Sequence, residues 1–246
     1  MNQRQQDILR LLEKHGEITI KELSETLSVT TMTIHRDLDL LEKENYLFKK
    51  RGAAVYINSQ DRAGSTFYLE EKRRIAQYAV KFIRPGQSIL FDNSTTAIEA
   101  ARCLGGIPKL TFYTTNLEIA AIVADYPDTL LYCSGGFYFK DSRGFVGPQT
   151  EEFVSKIHAD VCLTSVSGID IAGGLTGPYP MHTSLQKKIF AASDVRIIMA
   201  DHSKFGKRAA EKCGDLKDAS IVITDSGLSK SVAAEYAKYT RIEIAE

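Results

Sequence analysis

From residue 88 onward, short apolar runs alternate with helical stretches, and this alternation restricts the fold more than any other feature of the chain. The strand-like runs are SILFD (88–92), LTFYT (110–114), TLLYC (129–133), ADVCLTS (159–165), VRIIMA (195–200), ASIVIT (219–224) and TRIEI (240–244). Between them lie helical stretches such as TTAIEAARCL, NLEIAAIVADY and TSLQKKIFAAS. Strands and helices in alternation predict βαβ units around a mostly parallel sheet, an α/β domain. No repeat of fixed period is present.

The first 57 residues follow a different pattern. Ile8, Leu11 and Leu12 recur at the i, i+3, i+4 spacing of an apolar helix face, and Ile20, Leu23 and Leu27 repeat it. A third helix is expected to begin at Thr30 or Thr31, where a hydroxyl can cap free N–H groups, with Ile34, Leu38 and Leu41 as its buried stripe. Ser28-Val29-Thr30 is then a tight connection, and YLFKKRGAAVYI reads as a two-stranded wing turning at Arg51-Gly52. NSQDRAGST, from Asn58 to Thr66, is polar and aperiodic, as a linker would be. The expected organisation is a winged helix-turn-helix domain at 1–57, a linker at 58–66 and a larger α/β domain at 67–246.

Three helices and a wing place the third helix where it can enter the major groove of DNA. With Ile34, Leu38 and Leu41 inside, its outer face carries Thr31, Met32, His35 and Arg36, with Thr33 beside them; these groups can meet base edges and phosphates. In the wing, Lys49, Lys50 and Arg51 are expected to meet phosphate. Residues 1–57 hold nine Lys and Arg against nine Asp and Glu, so bulk charge does not argue for DNA. Its distribution does, because Leu27 through Arg36 contain no acidic residue. The competing reading is a three-helix protein-interaction module with His35 and Arg36 solvated.

The whole chain of 246 residues is balanced at 31 basic and 31 acidic groups, and 43% hydrophobic content suffices for folded cores. Its apolar runs are far shorter than a membrane span, and MNQRQQDILR lacks the apolar core of a signal peptide, so a cytoplasmic location is expected. Cys103, Cys133, Cys162 and Cys213 stand singly and read as reduced core thiols; no metal or redox cofactor is implied. Asn93-Ser94-Thr95 matches a glycosylation acceptor, a reading that needs a secretory route.

In an open α/β sheet, ligands bind beyond the carboxyl ends of the strands. The residues following successive strands are Asp92-Asn93-Ser94-Thr95-Thr96, Thr115-Asn116, Ser134-Gly135-Gly136, Ser165 through Gly168 to Asp170, and Asp201-His202-Ser203-Lys204. Small hydroxyl, amide and glycine groups with three carboxylates and a lysine suit a small polyol carrying an anion. The start of the helix after Asn93 would seat that anion, since free N–H groups and the helix dipole favour negative charge there. Each segment also has a plain structural use: an N-cap, a turn, a solvated lysine.

These motifs together resemble the DeoR/GlpR family of bacterial transcriptional regulators. The N-terminal likeness rests on Val29-Thr30, then Thr33-Ile34-His35-Arg36-Asp37-Leu38, and on Arg51-Gly52-Ala53-Ala54. Asp92-Asn93-Ser94-Thr95-Thr96, Thr115-Asn116, Gly135-Gly136, Gly168-Ile169-Asp170, Gly174 and Asp201-His202-Ser203-Lys204-Phe205-Gly206 extend it over the rest. The resemblance implies a DNA-binding repressor of a sugar-metabolism operon. It would be a homo-oligomer, dimer or tetramer, with an effector domain related in fold to ribose-5-phosphate isomerase and controlled by a phosphorylated sugar. Three departures stand out. His35 replaces the family's first arginine, Ala53 replaces a glycine, and no carboxylate occurs between Asp170 and Asp194, where most members carry glutamate. That last absence argues against the rival reading, a phosphosugar isomerase or hydrolase using Asp170 or Asp201 as base and Lys204 as phosphate partner.

Overall fold

The computed structural model describes residues 2–43, 46–56 and 68–246. The chain divides into two compact units, Met1–Phe67 and Tyr68–Glu246. The stretch expected as a linker, 58–66, lies outside the described residues.

In the first unit, α1 (Gln3–His15) starts at a capping box between Asn2 and Gln5 and stops at Gly16, whose φ of 76° favours glycine. A short strand β1 (Glu17–Thr19) leads into α2 (Ile20–Thr26), capped by Thr19 and Glu22. Helix α3 (Thr31–Lys43) follows a turn in which Ser24 Oγ donates to the Val29 carbonyl. Thr30 Oγ1 accepts from the Thr33 N–H at 3.3 Å, the expected cap. Ile8, Leu12, Leu23, Ile34 and Leu38 are fully buried in one cluster, and Leu11 and Leu27 pack at its margin.

β2 (Leu47–Lys50) and β3 (Ala53–Tyr56) form the wing, turning through Gly52 at φ 80°. The wing is larger than expected: β1 pairs with β3, so the order is β1-β3-β2. Only Ile18 among the three residues of β1 is apolar, too short a run to show alternation in sequence.

The second unit opens with α4 (Leu69–Val80), then β4 (Ser88–Phe91), α5 (Thr95–Arg102), β5 (Thr111–Thr114), α6 (Leu117–Ala124) and β6 (Leu130–Cys133). A hairpin, β7 (Phe137–Phe139) and β8 (Gly144–Val146), precedes α7 (Pro148–Ser155) and β9 (Ala159–Thr164). Next come β10 (Gly168–Asp170), β11 (Gly174–Gly177), α8 (Pro180–Ala191), β12 (Ser193–Met199) and β13 (Glu211–Gly214). The unit closes with β14 (Ile221–Asp225), α9 (Lys230–Tyr236) and β15 (Ile242–Ala245).

All seven expected strands join one parallel sheet of order β15-β14-β12-β9-β4-β5-β6. Alternate side chains enter two cores, as strand geometry requires. Ile89, Phe91, Val161, Leu163, Ile197 and Met199 face α4, α5 and α6, whereas Leu90, Cys162, Ile198 and Val222 face α8 and the small β10-β11-β13 sheet. The cysteines depart from expectation: Cys162 and Cys213 are buried and Cys103 is partly so, but Cys133 is exposed because β6 is the sheet's edge strand. Among the described residues no helix is long and apolar enough to cross a membrane.

Candidate functional site

The outer face of α3 is open. Thr31, Met32, His35 and Arg36 are exposed and Thr33 is half-buried, with Met32 retaining 67% of its accessible surface. Its inner face is held by more than the apolar stripe. Asp37 is buried, receives the Arg4 guanidinium and accepts from Gln5 Nε2 at 3.2 Å, which ties α3 to α1. Nothing in the sequence separates this buried aspartate from a solvated one, since its partners lie more than 30 residues away.

In the wing the three cations differ. Lys49 Nζ is paired with Asp39 and with Glu42 Oε2 at 3.2 Å, and its backbone N–H donates to Glu42 at 2.7 Å. The hydrogen bond to Asp39 raises the Lys49 pKa against the opposing effect of burial. Lys49 therefore clamps the wing to α3. Lys50 reaches Glu17 at 3.6 Å, and Arg51 at the turn is exposed, with no ion pair among the described residues.

In the second unit the chain runs outward from β4 to β6, then returns to β9 on the other side of β4. The reversal makes a switch point between β4 and β9, where a crevice opens beyond the strand ends. Asp92 lies there, buried. One oxygen accepts from the Ser94 N–H (3.0 Å) and Oγ (2.5 Å); the other accepts from Thr164 Oγ1 (2.6 Å) and the Ser165 N–H (2.9 Å). Burial pushes its pKa up, and those four donors pull the other way. Gln186 of α8 donates to Thr164 Oγ1, so Asp92, β9 and α8 form one network.

Asn93 is equally engaged. Its Oδ1 accepts from Thr115 Oγ1 at 2.7 Å and its Nδ2 donates to the Phe145 carbonyl at 3.1 Å. Ser94 caps α5, accepting from the Ala97 N–H; Thr95 and Thr96 begin the helix, half-buried and buried respectively. Thr115 and Asn116 are fully buried, and Asn116 caps α6 through the Glu118 and Ile119 N–H groups while donating to the Ser142 carbonyl. Gly135 accepts from Thr150 Oγ1, and a Cβ on Gly136 would meet that oxygen at 2.3 Å. Gly136 thus makes room for α7, and Gly135 offers it a carbonyl.

Gly168 is similarly crowded, because a Cβ there would lie 2.4 Å from the Lys207 carbonyl. Asp170 ends β10, and its carboxylate serves its own turn, accepting from Ala172 and Gly173 N–H groups and pairing with Arg208 at 2.7 Å. The Gly173 N–H, with Arg208, lowers its pKa. Asp201 is buried and caps the turn after β12 through Ser203; the next residue, His202, is braced by Asp225 at 2.8 Å.

A further residue had no sequence signal: Lys72, on α4, reads there as a solvated helix lysine. It is only 5% exposed. Burial lowers its pKa to about 8, Asp201 opposes that, and the nearby Lys204 ammonium adds to it. Two lysines close enough to repel, beside the loop after β12, form a cationic lip suited to an anion. Tyr68, immediately before α4, meets the His202 ring edge-on at 4.9 Å. Ser134 and Thr183 hydroxyls are buried without hydrogen-bond partners among the described residues.

Comparison with known proteins agrees with this layout. Residues 4–60 match the family described as "DeoR-like helix-turn-helix domain" and residues 68–226 the "DeoR C terminal sensor domain". The chain is 34% identical over 233 residues to the uncharacterised HTH-type transcriptional regulator YulB of Bacillus subtilis, covering 92% of this chain and 89% of that one. It is 30% identical to the transcriptional repressor AccR of Agrobacterium fabrum (91% and 89%) and 29% identical to the glycerol-3-phosphate regulon repressor of Escherichia coli (91% and 90%). Among solved structures, a D-ribose-5-phosphate isomerase aligns at TM-score 0.42 and 16% identity over 56% of this chain and 54% of that chain, a likeness of fold only.

Proposed function

The chain belongs to the DeoR family of helix-turn-helix transcriptional regulators, and on that premise we propose that it represses a sugar-metabolism operon whose operator it releases or holds according to a phosphorylated sugar. It works in the cytoplasm as a homo-oligomer, because helix-turn-helix proteins read two half-sites with two copies of α3. His35, Arg36, Met32 and the α3 threonines meet base edges, and Lys50 and Arg51 meet phosphates.

The observation that carries the effector reading is that the α5 start and the loop bearing Lys204 both follow the carboxyl ends of strands in one parallel sheet, with Lys72 close enough to Lys204 to feel its charge. The phosphate sits at Ser94, Thr95 and Thr96, with Lys72 and Lys204 supplying charge. Asp92, Asn93, Thr115, Asn116, Gly135, Gly136 and Gly168 shape the loops around it, and Asp201 orients the lysine lip. The alternative use of Asp170 or Asp201 as a catalytic base finds no support in geometry, since both carboxylates are occupied as turn caps. The family is one of regulators.

The test is a gel-shift titration of operator DNA by the full chain with a panel of sugar phosphates, repeated for Thr95→Asp. A carboxylate at the anion seat should abolish the response and leave operator binding intact, because an effector acts only through its differential affinity for the two states. A Thr95→Asp protein that responds normally, with unaltered ligand affinity by calorimetry, refutes the seat.

A further inference from the structure

Phe139, at the end of β7, and Tyr179 and His182, at the start of α8, meet in one aromatic cluster. Phe139 lies 5.1 Å from the His182 ring at 87° and 6.0 Å from Tyr179, and Tyr179 lies 5.7 Å from His182. The cluster is joined to the effector site at two points. Ser142 Oγ is 3.3 Å from His182 Nε2, and the Ser142 carbonyl accepts from Asn116. One helical turn beyond His182, Gln186 enters the Asp92 network through Thr164.

The cluster is more than an extension of the core. Phe139 packs on the core, but Tyr179 keeps 51% of its surface and its neighbour Met181 keeps 45%. The edge-on contact of Phe139 with His182 and the two tilted contacts of Tyr179 stack no ring face to face, and open aromatic faces attract polarised C–H groups. This same stretch holds no carboxylate from 171 to 193, so nothing here is built to grip a row of hydroxyls by charge. A closed sugar ring presents a flat face of C–H groups; an open-chain polyol carries hydroxyls on every carbon and loses more internal freedom on binding.

Resting on the anion seat proposed above, we infer that the effector is bound in ring-closed form, with its phosphate at the start of α5 and the C–H face of its pyranose or furanose ring against Tyr179 and His182. The aromatic rim takes the place of the absent carboxylate and sets the ligand class.

Calorimetry on the full chain tests this with matched pairs of gluco, manno and galacto configuration. Ring-locked members are glycosyl phosphates and anhydrohexitol phosphates, open-chain members are the corresponding hexitol phosphates, and inorganic phosphate probes the seat alone. At least one ring-locked compound should bind about tenfold or more tightly than its open-chain partner, and Tyr179→Ala should erase that ratio whereas Tyr179→Phe keeps it. Melting temperatures check that both variants fold, and inorganic phosphate provides the internal reference. Equal or tighter binding of open-chain members, a ratio unchanged in Tyr179→Ala, or no ring-locked compound exceeding inorganic phosphate overturns the inference. A ring preference that survives while inorganic phosphate fails to bind and Thr95→Asp is silent strikes the anion seat instead.

Discussion

The proposed DNA-reading face and the proposed effector site use polar residues in opposite ways. On α3, His35 and Arg36 project from a helix held by Ile34, Leu38, Leu41 and the Asp37–Arg4 pair on its inner face and by the Lys49 clamp at Asp39 and Glu42. At the sheet edge, Asp92, Asn93, Thr115 and Asn116 are buried or half-buried and already hydrogen-bonded to one another or to neighbouring loops. The first surface is free to change specificity without cost to the fold. The second holds its shape by the same groups proposed to frame the ligand, so on that reading binding and stability are coupled there.

The sharpest way to break that contrast is Asp92→Ala, which strands the Ser165 and Ser94 N–H groups and the Thr164 hydroxyl in a buried place. A loss of about 3–5 kcal/mol of stability is expected by denaturant unfolding, against less than about 0.5 kcal/mol for His35→Ala. Similar costs at both sites would end the distinction.

Next in size, Arg36→Ala should weaken operator binding by roughly 1–3 kcal/mol with unchanged melting temperature. Operator affinity equal to wild type at fixed salt would remove α3 from the groove. His35→Arg should shift the preferred base, visible as a changed motif in selection from randomised sites.

Lys72 sharpens the coupling at the sensor. Its folded pKa of about 8 lies below the 10.5 of an unperturbed lysine, so between those values the unfolded chain holds a proton that the folded chain has lost. Stability contributed by this group therefore rises with pH from about 8 to 10.5. Lys72→Met should stabilise the unliganded protein by roughly 1–3 kcal/mol at pH 7, an advantage that fades across that window, and should weaken phosphate binding. In the wild type, phosphate affinity should fall as pH rises through about 8. A variant less stable than wild type at pH 7 contradicts this account.

Smallest of all is the wing. Arg51→Gln should flatten the slope of log K against log salt by about one, whereas Lys49→Gln should change it little, its charge being already matched by Asp39 and Glu42. Equal slopes for the two variants would show that the clamp opens on DNA.

The same contrast explains what could be read from the sequence. The seven strands of the large sheet were legible because each is an apolar run between helices, and α3 was legible because its period separates inside from outside. The strands β1, β10, β11 and β13 carry too few apolar residues to stand out as runs, and β7 and β8 are the three-residue arms of one hairpin. The loops bearing Asp92, Thr115 and Asp201 were recognisable as strand ends, but their bonding was not. Asp92 meets Thr164 across 72 positions, a pairing set by strand order. Lys72 was invisible for the same reason, since only the packing of α4 over the sheet takes its ammonium out of water.

The placement of Lys72 separates two tasks that a regulator must perform. α4 is the first element after the chain enters the sensor unit, and Tyr68 at its head touches the His202 loop. On the proposed reading, any ligand bearing a phosphate pairs with the same lysine on that entering helix, whatever the sugar attached to it. The message sent toward the DNA-binding unit is then common to all effectors, and the identity of the sugar is decided elsewhere, on rim loops such as 137–146 and 177–182. On that reading, editing the rim changes the sugar that is recognised and leaves the signal unchanged.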